Sequence, residues 1–330
     1  MIDRFTLYNI LYALAAKDGR DAALFGNSAD AAYTAFGHSL ASEALPELWF
    51  EIPLAGDPWF DLHALTSRDD LSPEMTFSEE RTGGCPSAFQ WFASQSSGVR
   101  QLALSWDTGK GEAVHPAVQL LVTSREKQVT CGFLEAVGRP DAVPAYCAFV
   151  ESLPKGWFPC YAGVFPGRPG HNLRVECIPH EELQAVYAED PALLESHLRQ
   201  VGLTAFGDTI VPRCQLMAKT PFKLEFQFDV DQEGRADATF SASLRFAKPP
   251  REGSWEGFST DGAAGELMRQ VEEWSLADGR WHLLEDTIFA KGVEFRGESC
   301  IICCYPAFLK LRWRNGEPVD AKAYLIAGTF

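Results

Sequence analysis

Between residues 222 and 230 apolar side chains (Phe222, Leu224, Phe226, Phe228, Val230) alternate without a break with polar ones (Lys223, Glu225, Gln227, Asp229). A period of two belongs to a strand with one dry and one polar face, and it excludes a helix, whose apolar positions recur every three or four residues. The turn Asp231-Gln232-Glu233-Gly234 follows. A second alternating run, residues 239–246, then sends Phe240, Ala242, Leu244 and Phe246 one way and Ser241, Ser243 and Arg245 the other. The two runs read as a β-hairpin whose polar face carries charge.

The same unit recurs along the chain. Residues 48–54 and 59–65 flank the turn Ala55-Gly56-Asp57-Pro58, and residues 99–106 and 117–123 flank a polar, Gly-containing loop. Residues 160–165 and 172–178 flank a Pro- and Gly-rich turn, and residues 301–314 and 319–327 flank Asn315-Gly316, a strong hairpin dipeptide. Helical periodicity falls between the hairpins: residues 3–17, 30–40, 86–93, 126–137 and 141–153, two segments starting at Pro179 and at Asp190-Pro191, and residues 206–219. Asp190 as N-cap, Pro191 at the first position and Gly202 past the end form the clearest start and stop. Pro212 is expected to bend its helix. A helix capped by Asp261 and a helical segment over residues 281–290 precede the last hairpin.

The order is therefore helices then hairpin, five times over, with no break in composition that marks a linker. The reading is one domain over residues 1–330. Ten strands whose second face is polar, each dry face with helices to pack on, predict an α+β architecture. It is a ten-stranded antiparallel β-barrel of five hairpins surrounded by helices, with a wet lumen wide enough for a ligand.

Composition narrows the partners. The 29 Lys and Arg against 45 Asp and Glu leave a net charge of −16, which repels polyanions and excludes nucleic acid or an anionic membrane as the main partner. No stretch approaches the length of an apolar membrane span, and an acidic residue, Asp3, stands where a signal peptide is basic. Nine cysteines, an odd number scattered through the chain, suit reduced thiols in a cytoplasm.

With the apolar parity facing the helices, the other parity lines the lumen. It gives Asp61, His63 and Glu51 in the first hairpin, Gln101 and Gln119 in the second, and Arg174 and Glu176 in the third. The fourth gives Lys223, Glu225, Gln227 and Arg245; the fifth gives Lys310, Arg312, Arg314, Lys322 and Tyr324. Cations converging inside a protein of net negative charge call for a compensating anion, and a diphosphate fits their charge-assisted donors. Glu225 and Asp229 offer the other solution, a structural ion network on the same face.

Five ββ units interleaved with helices, with Lys-x-Arg at Lys310/Arg312, Lys-x-Tyr at Lys322/Tyr324, and Arg174, Lys223 and Arg245 inward, resemble the aromatic prenyltransferases of the ABBA, or PT-barrel, family. The resemblance spans nearly the whole chain and is one of architecture. It implies a bacterial-type, cytoplasmic transferase moving a dimethylallyl, geranyl or farnesyl group from its diphosphate to an aromatic small molecule or a peptide side chain. It also implies that Arg174, Lys223, Arg245, Lys310, Arg312, Lys322 and Tyr324 hold the diphosphate. Glu51 or Asp61 would be the acidic side chain near the acceptor that takes its proton, and His63, Gln101, Tyr161, Glu176 and Gln227 would line the acceptor pocket. No cofactor is implied beyond Mg²⁺ as a counter-ion to diphosphate.

Other motifs are weaker. Asp69-Asp70 lacks the third acid of an aspartate-rich metal motif, Pro73 standing in its place. Cys300, Cys303 and Cys304 have a ligand-like spacing but no second cluster, and their apolar neighbours predict strand packing. Thr108-Gly109-Lys110-Gly111 is too short for a phosphate loop. Two rival functions remain: a non-catalytic barrel that binds an anionic metabolite, and an accessory protein of peptide modification.

Overall fold

The computed structural model describes residues 23–26, 47–68, 71, 77, 79, 82, 84–107, 116–123, 126–166, 173–246, 257–295 and 298–329. The strands are β1 (Glu47–Pro53), β2 (Asp61–Ser67), β3 (Val99–Trp106), β4 (Ala117–Val122), β5 (Trp157–Val164), β6 (Leu173–Pro179), β7 (Lys223–Val230), β8 (Ala236–Arg245), β9 (Phe289–Phe295), β10 (Glu298–Arg314) and β11 (Glu317–Thr329). Between them lie α1 (Pro86–Ser94), α2 (Lys127–Ala136), α3 (Val143–Ser152), α4 (Glu181–Glu189), α5 (Pro191–Gln200), α6 (Ile210–Ala218) and α7 (Ala263–Glu273). Neighbouring strands run antiparallel in chain order from β1 to β8; β8 then pairs with β10, β10 with β11, and β11 back with β1. Ten of the eleven strands thus close into a barrel. The eleventh, β9, pairs only with the first half of β10.

Strand parity separates two environments. The apolar parity, for example Leu48, Phe50 and Ile52 on β1 and Leu224, Phe226 and Phe228 on β7, packs with helix residues such as Phe133, Phe149 and Tyr187 in one core outside the barrel. Trp157 stacks on Phe226 at 4.9 Å, and Phe149 meets Phe228 at 5.5 Å. Burying an aromatic side chain of this size contributes about 1.5–3 kcal/mol, so these contacts fix which face of each strand turns inward. The polar parity is left facing the lumen.

Local signals account for several boundaries. Asp190 Oδ1 accepts a hydrogen bond from the Leu193 backbone N–H at 3.0 Å, and Gly202 takes φ +94° beyond α5, as the sequence predicts. Asn315 and Gly316 both have positive φ (52° and 82°), the backbone of a type I′ hairpin turn.

Elsewhere the structure corrects the sequence reading. Residues 279–287 form a 3₁₀ helix and β9 begins at Phe289, where a helix over 281–290 was expected. Helix α7 starts at Ala263 behind Gly262, so Asp261 does not cap it. Helix α6 starts at Ile210 and places Pro212 in its first turn, where no intrahelical N–H bond is lost and no bend is imposed.

The helices expected over 3–17 and 30–40, Asp69-Asp70 and the 108–111 loop lie outside the described residues. Cys303 faces the lumen side with Tyr305 and Trp49, whereas Cys304 joins the outer core, so consecutive strand positions put these thiols on opposite faces. The eight described cysteines are all free. Among the described residues no helix is long and apolar enough to cross a membrane.

Candidate active site in the barrel lumen

Register carries the inward residues around the barrel in rows. One row runs from Asp61 on β2 through Glu51 on β1, Tyr324 on β11, Phe308 on β10 and Arg245 on β8 to Lys223 on β7. A second joins Lys322, Lys310, Ser243 and Glu225. A third joins Asp320, Arg312, Ser241, Gln227, Glu176 and Tyr161. The closure of β11 on β1 brings the first hairpin's acids against the last hairpin's cations. The lumen encloses a cavity of about 330 Å³, within the range of small-molecule sites.

Glu51 is the hub of this arrangement. Its Oε1 lies 3.0 Å from Lys322 Nζ and 4.0 Å from Lys310 Nζ, and its Oε2 lies 3.1 Å from His63 Nε2. Burial raises the carboxyl's pKa, but Lys322, Lys310 and His63 together outweigh it and hold it well below the ordinary carboxylate range. Glu51 is therefore an ionised hydrogen-bond acceptor, and the ring nitrogen facing it donates. A neutral His63 then accepts at Nδ1, where Ser105 Oγ, 2.6 Å away, supplies the donor.

Asp61 sits behind Lys322, 3.5 Å from its ammonium, and its carboxyl is pushed up to about 6 by burial, with Glu51 and Asp107 adding to the effect and Lys322 opposing it. Lys322 also rests 4.6 Å over the Trp59 ring.

Lys310 is 6% exposed and lines the cavity. Its Nζ donates to Tyr324 Oη at 3.2 Å. Burial, reinforced by Arg174 and Lys322 and opposed by Glu51, pulls the ammonium pKa down to about 8. Beside it stands an aromatic wall: Trp49 to Phe308 at 5.3 Å, Phe308 to Tyr324 at 5.9 Å and Tyr324 to His63 at 5.9 Å.

The remaining cations are divided. Arg174 makes a two-point contact with Asp229 (2.6 and 3.2 Å) and lies 4.5 Å over Phe165. Arg245 lies 2.8 Å from the fully buried Glu225 and 4.9 Å over Phe308. Arg312 pairs with Asp320 and is not among the cavity-lining residues, whereas Lys223 is exposed and lines the cavity. Glu176 accepts from Gln227 Nε2 at 2.8 Å, and burial together with Glu225 pushes its carboxyl well above the ordinary range. Gln101 donates to Glu47 at 3.1 Å and lies outside the cavity lining, as do Asp61 and Lys322; His63, Tyr161, Glu176 and Gln227 line it.

Trp49, Ser105 and Phe308 also line it and were not singled out from the sequence. Each shares parity with a polar or charged residue of its own strand (Glu51, Gln101 and Lys310), so the same alternation marks them as inward. Among the described residues no three His, Cys, Asp or Glu side chains are grouped to hold a metal ion.

This barrel is similar in fold to solved structures of aromatic prenyltransferases. The 5-dimethylallyltryptophan synthase from Streptomyces coelicolor matches 97% of this chain with 96% of its own at 14% identity and a TM-score of 0.54. The prenyltransferase PriB matches 98% of this chain with 96% of its own at 13% identity and a TM-score of 0.50. A structure of the Streptomyces coelicolor synthase in complex with DMASPP and Trp matches 97% of this chain with 93% of its own, at 12% identity and a TM-score of 0.50. The chain has the ABBA, or PT-barrel, fold. No protein-family model matches it, and no curated protein matches it in sequence.

Proposed function

We propose that this protein transfers an allylic group from its diphosphate to an aromatic acceptor. The observation that carries the reading is a buried ammonium, Lys310, aimed into a cavity walled by Trp49, Phe308 and Tyr324. Lys310, Arg245 and Lys223 would grip the diphosphate and stabilise the charge that grows on it as the C–O bond breaks. Arg174 and Tyr324 line the same cavity beside that grip, and Lys322 supports it from behind through Glu51. The aromatic faces attract the allylic cation and keep water from it. Glu51 accepts a hydrogen bond from the acceptor, and Tyr161, Glu176 and Gln227 shape the far side of its pocket. Asp61 and Arg312 hold neighbouring groups in place and stand apart from the reacting atoms.

The ligands in the Streptomyces coelicolor synthase structure, DMASPP and Trp, make a dimethylallyl donor and an indole acceptor the first pair to try. Geranyl and farnesyl donors and a peptide side chain follow. Free thiols throughout the described chain support a reducing compartment such as a bacterial cytoplasm.

The test is thermal shift with the three allylic diphosphates and inorganic diphosphate, followed by product analysis with tryptophan, simple indoles and a tryptophan-containing peptide. A ligand at a hundred times its Kd stabilises by about 2.7 kcal/mol, a readable shift. No stabilisation by any of them, with no product, sinks the reading. A second reading, a non-catalytic barrel for an anionic metabolite, is favoured by one feature: Glu51, Glu225, Asp229 and Asp320 each face a cation already. Stabilisation by inorganic diphosphate without turnover of any donor would support it.

A further inference from the structure

Ser105, His63 and Glu51 are joined by side-chain contacts across three neighbouring strands. All three residues line the cavity, and they are 6%, 8% and 7% exposed. Ser105 Oγ stands 2.6 Å from His63 Nδ1, and His63 Nε2 stands 3.1 Å from Glu51 Oε2, so a hydroxyl, an imidazole and a carboxylate are connected in that order. This is the connectivity by which serine hydrolases move a proton. Ser105 is nevertheless unsuited to nucleophilic attack on an acyl group. It sits within β3, which pairs with β2 on one side and β4 on the other, so the local backbone N–H groups are committed to the ladder and no oxyanion hole adjoins the hydroxyl.

We infer that Ser105, His63 and Glu51 form the base relay that removes the acceptor's proton, an inference that rests on the transferase reading and assigns the step that reading leaves open. The donor's C–O bond breaks with its electron pair on the diphosphate, and a ring electron pair of the acceptor forms the new C–C bond. The proton on that ring carbon passes to Ser105 Oγ as the serine's own proton passes to His63 Nδ1. Serine ends neutral, the ring recovers its aromaticity, and His63 ends as an imidazolium donating from Nε2 to the Glu51 carboxylate. Glu51 itself is a poor terminal base, because Lys322 and Lys310 hold one of its oxygens and His63 the other.

Charged and titratable groups surround the imidazole. Glu51 faces it from β1, Asp61 lies two residues before it on β2 and Asp107 two residues beyond Ser105. Lys310 and Lys322 reach it through Glu51, and Tyr324 lies ring to ring with it.

The experiment compares wild type with Ser105→Ala, Ser105→Thr and His63→Asn, measuring diphosphate release and prenylated product separately from dimethylallyl diphosphate and the acceptor panel. Ser105→Ala and His63→Asn are expected to release diphosphate within about threefold of wild type, with water trapping the cation, while product falls by on the order of 10². Ser105→Thr, which keeps the hydroxyl, restores the rate.

Wild-type product rates in both Ser105→Ala and His63→Asn overturn the relay and leave the transferase reading standing. A wild type that releases no diphosphate from any donor overturns the transferase reading and the relay together. Nitrogen NMR of the free protein adds a measurement independent of turnover. The neutral His63 ring is expected to carry its proton on Nε2, and a proton on Nδ1 overturns the relay.

Discussion

Lys310 and Arg312 look equivalent in the sequence, two residues apart with the same parity, yet the fold gives them different work. Lys310 lines the cavity, and Arg312 is paired with Asp320 away from it. Lys310→Ala is expected to weaken diphosphate binding by about 1.5–3 kcal/mol, roughly 10- to 100-fold, while Arg312→Ala leaves binding within about twofold and lowers the melting temperature. Calorimetric titration with inorganic diphosphate checks both. Because the Lys310 ammonium titrates at about 8, that affinity should also fall as pH rises past 8 in wild type and stay flat in Lys310→Ala.

Asp61 gives a stability signature instead. A carboxyl whose pKa rises from 3.8 to about 6 on folding binds its proton more tightly folded than unfolded. Stability is therefore full below about pH 4, falls by about 3 kcal/mol by the time pH passes 6, and stays lower above. Melts of Asp61→Asn should lack that slope; curves parallel to wild type across the range would refute it. The inward parity of these residues could be read from the chain. Which acid meets which cation could not, because Glu51, Lys310 and Lys322 become neighbours only through the pairing of the first strand with the last.

Elements were legible where one signal dominated. Strict alternation located five hairpins, and Asp190, Pro191 and Gly202 bracketed α5. Strand β9 was missed because Phe289-Ala290-Lys291-Gly292-Val293-Glu294-Phe295 interrupts its alternation with Gly292 and follows a 3₁₀ segment whose spacing imitates a helix. Its existence depends on β10 running 17 residues, long enough to serve β8 with one half and β9 with the other.

The turn that launches β11 is tightly held. A Cβ on Gly316, already at φ +82°, would stand 2.5 Å from the Gly207 backbone nitrogen. Gly316→Ala should therefore cost at least about 2 kcal/mol, read as a lower urea midpoint. An unchanged midpoint would show that the loop before α6 gives way freely.

For the molecule as a whole, a barrel closed by its first and last strands is dominated by contacts distant in sequence, and refolding from urea is expected to take from milliseconds to seconds rather than microseconds. Stopped-flow fluorescence of the tryptophans checks this. The charge balance shows the same organisation: a chain of net charge −16 keeps its lumenal cations by giving most of them an acid from another strand.

The closure also sets a clock during synthesis. Asp61 and its counter-ion Lys322 are separated by 261 residues, which a ribosome adding roughly 5–20 residues per second takes on the order of 10–50 s to cover. For that interval the strand that carries Glu51 has been made and the strand that completes its wall has not. The edge of β1 stays open to any other strand nearby, and the carboxylate meant for burial waits in water for a lysine still to be translated.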